Sequence, residues 1–130
     1  MSTTKARLRI LIVEDDAVSA TFLKMKLTQL GHEVCAEAEK GLEAVVLAEI
    51  SKPDVILMDF NLSGGMNGVE AIQQIRKKNF IPVIFVTSFT DEATLSKIRA
   101  SQVQSILIKP VDDAQLKEAL DSVLSGPSGK

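Results

Sequence analysis

The sequence predicts an α/β domain: a doubly wound, five-stranded parallel sheet with helices on both faces. Three observations predict it. Short runs rich in valine and isoleucine alternate with segments of helical period, and the alternation repeats five times. Most of the runs are apolar at successive positions, as strands covered on both sides are. The 130 residues, 45% hydrophobic and 25% charged, suit one domain with a core of its own.

The first run, Arg7 to Val13, ends in Glu14-Asp15-Asp16. Asp16 can cap a helix over Ala17 to Leu30, and Gly31 can end it. A strand over Glu33 to Ala38 follows. In the next helix Leu42, Val45, Val46 and Ile50 step by three and four, which predicts a stripe facing the core. Val55 to Asp59 is the third strand. Gly68 to Lys78 carries Val69, Ile72 and Ile75 at helical spacing. Val83 to Thr87 is the fourth strand. The helix over Asp91 to Ser101 has only Leu95 and Ile98 as large apolar residues, so it is expected to be the most weakly anchored. Ser105 to Ile108 is the fifth strand. Leu116, Ala119, Leu120, Val123 and Leu124 form the stripe of the last helix. Right-handed crossovers then place helices on both faces of the sheet.

Composition excludes several functions. A formal net charge of -2 gives no electrostatic reason to bind nucleic acid directly or an anionic membrane. Arg76-Lys77-Lys78 reads as a last helical turn, where cations suit the macrodipole. Cys35 is the only cysteine, which rules out an internal disulfide, favours a reducing cytoplasmic compartment and predicts a buried packing role. The apolar run Leu8 to Val13 is too short for a signal-peptide core or a membrane span. The expected organisation is one domain over residues 7–125, flexible tails over 1–6 and 126–130, and no effector domain.

In a sheet of this kind ligands bind beyond the carboxyl ends of the strands. Those ends carry Glu14 and Asp15, Asp59, Thr87, and Lys109-Pro110. Two unit charges about 5 Å apart repel by ~3 kcal/mol at an effective dielectric near 20, so crowded carboxylates call for a cation. Hard oxygen ligands with room for water suit Mg²⁺, with Mn²⁺ as an alternative. Asp59 can act as a nucleophile and form an acyl phosphate. Lys109 can neutralise phosphoryl oxygens, and the Thr87 hydroxyl can donate to one. Pro110, ahead of a helix, is a candidate cis proline.

The motifs Ile10-Leu-Ile-Val-Glu-Asp-Asp16, Val55-Ile-Leu-Met-Asp59, Val83-Ile-Phe-Val-Thr-Ser88 and Ile108-Lys-Pro110 stand in this order. Together they resemble the response-regulator receiver domains of two-component systems, chemotaxis-type regulators included, over about Arg7 to Leu124. The resemblance implies a flavodoxin-like strand order, 2-1-3-4-5. It implies that Asp59 is the phosphoacceptor of a phosphorelay. Asp15, Asp59 and the backbone carbonyl of Asn61 would ligate Mg²⁺ directly, and Glu14 would act through water. Thr87 and Lys109 would sense the phosphoryl group. The donor would be a sensor histidine kinase, a histidine phosphotransfer protein or a small acyl phosphate. The protein would catalyse only its own Mg²⁺-dependent phosphorylation and dephosphorylation. A downstream protein would dock on the 91–124 face.

Several positions depart from the family's common pattern. Ser63 stands where proline is common, and the segment Asn61 to Gly68 is one residue longer. Ile106 stands at the switch aromatic of the fifth strand, and Val111 follows Lys109-Pro110 in place of phenylalanine. Two residues after Thr87 stands Phe89, which is expected to shield the phosphoryl group from water. His32, next to Gly31, reads as a surface turn residue and not as a phosphodonor. The alternative function is an aspartate-nucleophile phosphatase of the haloacid-dehalogenase kind. Such an enzyme wants a second aspartate two residues after the nucleophile, where this chain has Asn61.

Overall fold

The structure, a computed structural model, describes residues 7–125. The tails expected over 1–6 and 126–130 lie outside the described residues. The elements run β1 (Arg9–Val13), α1 (Ala17–Gln29), β2 (Glu33–Ala38), α2 (Gly41–Ser51), β3 (Val55–Met58), α3 (Gly68–Ile75), β4 (Val83–Thr87), α4 (Glu92–Ala100), β5 (Ser105–Ile108) and α5 (Asp113–Leu124). The sheet is parallel, in the order β2-β1-β3-β4-β5. Among the described residues no helix is long and apolar enough to cross a membrane.

Alternating strand residues feed two core layers. Leu11, Val13, Ile56, Met58, Val83 and Phe85 face α2, α3 and α4. Ile10, Ile12, Val55, Leu57, Ile84 and Val86 face α1 and α5. Both faces of the central strands are thus dry, which is why β1, β3 and β4 read as unbroken apolar runs. Four helices start on a side-chain cap: Asp16, Asn67, Asp91 and Asp112 each accept the backbone N–H three residues on. Asn67 and Glu70 complete a capping box, which fixes where α3 begins.

Four expectations are corrected. Of the expected α2 stripe only Val45 packs on the core, half-buried: Leu42, Val46 and Ile50 are exposed, while Gly41, Ala44 and Ala48 are buried. Small residues let α2 sit close to the sheet and α3, and Met66 fills the space over Gly41. His32 is buried, and its Nδ1 accepts the Leu8 N–H at 3.0 Å. Arg76 does not extend α3. The helix ends at Ile75, and the guanidinium donates to the carbonyls of Ser101, Gln102 and Ile81 while lying 4.2 Å from the Phe80 ring centre. Cys35 is only partly buried, its thiol donating to the Ile10 carbonyl at 3.5 Å. The weak anchoring expected of α4 matches its burial: Ile98 is its one fully buried side chain and Leu95 is half-buried.

Candidate functional site

The carboxyl edge of the sheet gathers residues from four strands. The Asp59 N–H donates to the Val13 carbonyl at 3.0 Å, so the residue just past β3 is still held by the β1 ladder. Glu14 is fixed in the same way, its N–H bonding the Ala38 carbonyl at 2.9 Å. The Lys109 N–H bonds the Thr87 carbonyl at 2.8 Å, which seats the ends of β4 and β5 together. The Lys109-Pro110 peptide is cis, as expected. Gly68 is buried beneath Asp59: a Cβ there would strike the Asp59 carbonyl oxygen and come within 2.9 Å of the Phe85 ring. The loop from Asp59 to α3 is therefore pressed against the Asp59 backbone, and glycine is what the approach allows.

Glu14, Asp59 and Thr87 are buried at this edge, whereas Asp15 is exposed. The Lys109 ammonium bridges the two buried acids, 2.6 Å from Glu14 Oε1 and 3.1 Å from Asp59 Oδ2. The Asp16 N–H donates to the second Glu14 oxygen at 3.1 Å. Burial pushes the Glu14 carboxyl up, and the Asp59 charge adds to this, while the bonds from Lys109 and Asp16 pull the other way. Burial also works to lower Lys109, but its hydrogen bond to Glu14 and the charge of Asp59 win and hold it above its ordinary value. Lys109 is thus a fixed cation between two acids.

Carboxylate oxygens of Glu14, Asp15 and Asp59 lie within 4.8 Å of one another. Such an all-oxygen set fits a hard divalent cation, and the exposure of Asp15 leaves room for water to complete a shell. Both Glu14 oxygens and both Asp59 oxygens already have donors, the two bonds to Asp59 being 3.1 and 3.3 Å long, which leaves the exposed Asp15 as the most accessible carboxylate of the three. Asn61 is exposed beside them, its N–H 3.3 Å from Asp59 Oδ1. The Thr87 hydroxyl oxygen accepts the Phe89 N–H at 3.1 Å, which joins it to the turn that leads into α4. Phe89 is half-buried and meets the Phe60 ring edge-on, with centroids 5.7 Å apart. Ile106, half-buried, pairs with Phe85 across β4 and β5 and packs on the α2–α4 side of the core.

Sequence reasoning missed four contributors here. Gly68 carried a legible signal, a glycine opening a helix soon after a strand. Phe60 carried none, because its role depends on the ring opposite. The Lys109–Glu14 bond joins residues 95 positions apart, and no local pattern announces it. The fourth is an apolar groove of about 400 Å³ beside Lys109, with Val18, Phe22, Pro110 and Val111 in its walls.

A family model described as the response regulator receiver domain matches residues 10–121. The chain belongs to this family. As a receiver, it falls in the phosphorelay class of signal transduction, and the phosphatase alternative finds no support among the matches. The protein PilH of Pseudomonas aeruginosa is 38% identical over 121 residues, spanning 91% of this receiver and 98% of PilH. A chemotaxis protein CheY homolog of Campylobacter jejuni is 32% identical, covering 95% of this chain and 97% of its own. The transcriptional regulatory protein PdtaR of Mycobacterium tuberculosis is also 32% identical, but the receiver spans only 57% of its length. Among solved structures, the signal receiver domain of a modulated diguanylate cyclase from Desulfovibrio desulfuricans aligns with a TM-score of 0.84 at 31% identity, over 91% of this chain and 94% of that one. The response regulator domain of Thermotoga maritima CheB aligns at 0.80 and 31% identity, over 92% and 98%.

Proposed function

We propose that this receiver takes a phosphoryl group on Asp59 from a phosphohistidine protein or a small acyl phosphate, in the cytoplasm, and changes a binding face in response. The observation that carries the reading is the Lys109 bridge: one ammonium held by two buried acids at the edge where all the strands end. An Asp59 oxygen attacks phosphorus, the donor's P–N or P–O bond breaks, and the leaving group departs with its electron pair. Negative charge is thereby moved outward from Asp59 onto phosphoryl oxygens. Lys109 can follow it without leaving Glu14, which keeps the cation in place through the transfer. Asp15, Asp59 and the Asn61 carbonyl are the residues that would hold Mg²⁺, with Glu14 reached through water; Mn²⁺ suits the same donors. When bound, the ion supplies charge neutralisation at the transferring group.

Thr87 links the site to the output. If its hydroxyl donates to a phosphoryl oxygen, the Phe89 N–H that it now holds must move with it, and Phe89 is the root of the connection to α4. A helix with one fully buried side chain shifts for a few kcal/mol. The downstream partner therefore reads the face made by α4, β5 and α5, residues 91–124. With Ile106 in β5, the shift involves repacking of an aliphatic side chain and no aromatic swing. Phe89, braced by Phe60, shields the phosphoryl group, so its loss by hydrolysis is slow.

The experiment is intact-mass analysis after treatment with acetyl phosphate. The reading expects one added phosphoryl group, lost on chelation of divalent ions and absent in Asp15→Ala. Phe89→Ala should lose its label faster than the wild type. Metal-independent labelling would overturn the metal assignment, and equal decay would remove Phe89 as a shield.

A further inference from the structure

α2 is apolar on both of its sides. Gly41, Ala44 and Ala48 face the core. Leu42, Val46 and Ile50 face water and are 66%, 54% and 71% exposed. They step by four, so they form one ridge along the helix. The fold gains nothing from that ridge. A contiguous apolar patch of a few hundred Å² on a monomer marks an interaction site.

The borders of the ridge are acidic. Glu39 and Glu43 stand three residues before Leu42 and Val46, and Glu49 stands three after Val46; all three are exposed. Lys78 meets Glu49 at 3.2 Å from the α3 side. Glu39 and Glu43 pair with no cation among the described residues; the Glu43 carboxylate accepts only the Glu39 N–H. Of the nearby lysines, Lys40 runs along Gly64 in the loop before α3, and Lys52 closes the far end of the helix.

We propose that the outer row of α2 docks a basic amphipathic helix of a partner protein. A ridge at four-residue spacing fits the groove between side-chain rows of a facing helix. Lysine or arginine beside that groove would meet Glu39 and Glu43, which sets orientation and excludes acidic competitors. A second copy of this chain is disfavoured, because it would bring the same acids against each other. An anionic lipid surface is disfavoured by the same charges. The inference does not depend on Asp59 as acceptor.

The test titrates the isotope-labelled full chain with two designed helical peptides, read by amide NMR shifts. Both carry leucine at four-residue spacing; one is flanked by lysine and the other by glutamate. The lysine peptide should shift amides of residues 39–52 and bind about tenfold more tightly than the glutamate peptide, the preference fading in high salt. Val46→Lys, on an exposed position, should weaken the lysine peptide by about tenfold with circular dichroism and acyl-phosphate labelling unchanged. Equal binding of the two peptides, shifts centred on α1, or an unaffected Val46→Lys variant would overturn the proposal. So would a dimer in sedimentation that Val46→Lys dissolves, or binding to phosphatidylserine vesicles through this row.

Discussion

The two edges of the sheet differ in whether their polar side chains bond one another. At the amino edge they are used to satisfy backbone. His32 takes the Leu8 N–H, Asp54 takes the Arg9 N–H at 2.8 Å, Arg9 donates to the Ser51 and Lys52 carbonyls, and Arg76 to those of Ser101, Gln102 and Ile81. At the carboxyl edge Glu14, Asp59 and Thr87 each take a backbone N–H too, but there side chains also bond one another: Lys109 to Glu14 and Asp59, with Asp15 close by. The first arrangement closes loops and stabilises the fold. The second crowds like charges around one cation, which does little for stability and prepares a site for added charge. Stability and chemistry are thus divided between the two ends of the same strands.

Substitutions can break this division. The largest expected effect is at Asp59. Asp59→Asn should abolish acyl-phosphate labelling while changing unfolding free energy by less than about 1 kcal/mol, because it removes repulsion from Glu14 along with attraction to Lys109. A large loss of stability would show that the site also holds the fold together. Arg76→Ala should do the reverse. Three carbonyls lose their donor, so denaturant midpoints should report a loss of about 2–3 kcal/mol, with labelling at the wild-type rate. A neutral result would remove Arg76 from the scaffold.

Gly68→Ala sharpens the contrast, because this position belongs to the fold and the site together. Its Cβ must displace the Asp59 carbonyl or the Phe85 ring. Both readouts should suffer, with about 1–3 kcal/mol of stability lost and slower labelling. Stability lost with labelling intact would mean that the loop yields and leaves Asp59 in place.

The smallest effect is a pH dependence at the amino edge. Burial holds His32 below the ordinary histidine pKa, against a weaker pull from the Asp121 charge. As pH falls through about 6.5 the unfolded chain binds a proton before the folded one. Stability contributed above that value is then lost, by at most about 1.4 kcal/mol per pH unit. His32→Asn, which keeps an acceptor for the Leu8 N–H, should flatten the slope of thermal midpoint against pH below 6.5. An unchanged slope would assign it to other groups.

The same contrast explains what the sequence made legible. The carboxyl edge could be read because β-α alternation dictates that strand ends converge, so Glu14, Asp15, Asp59, Thr87 and Lys109 needed only their positions in the chain. The amino edge could not. Nothing local distinguishes a histidine that meets Leu8, 24 residues away, from one in a surface turn. Arg76 sits where a helix-ending cation is ordinary, and its carbonyl partners come from the α4–β5 connection and the approach to β4. In α2 the period was correct and the face was not. A helix apolar on two sides has no unique stripe, and the choice fell to the small residues that permit close packing. In β3 the run was correct to within one residue, since Asp59 keeps a ladder bond just beyond the strand.

The account turns on which of three neighbouring carboxylates carries the phosphoryl group. Borohydride reduces an acyl phosphate to the alcohol and leaves free carboxylates untouched, so the phosphorylated residue becomes visible in a peptide map. Wild-type protein treated with acetyl phosphate and Mg²⁺, then reduced, should show homoserine at position 59 alone. Reduction at Glu14 or Asp15, or at position 59 and elsewhere in equal measure, would contradict it.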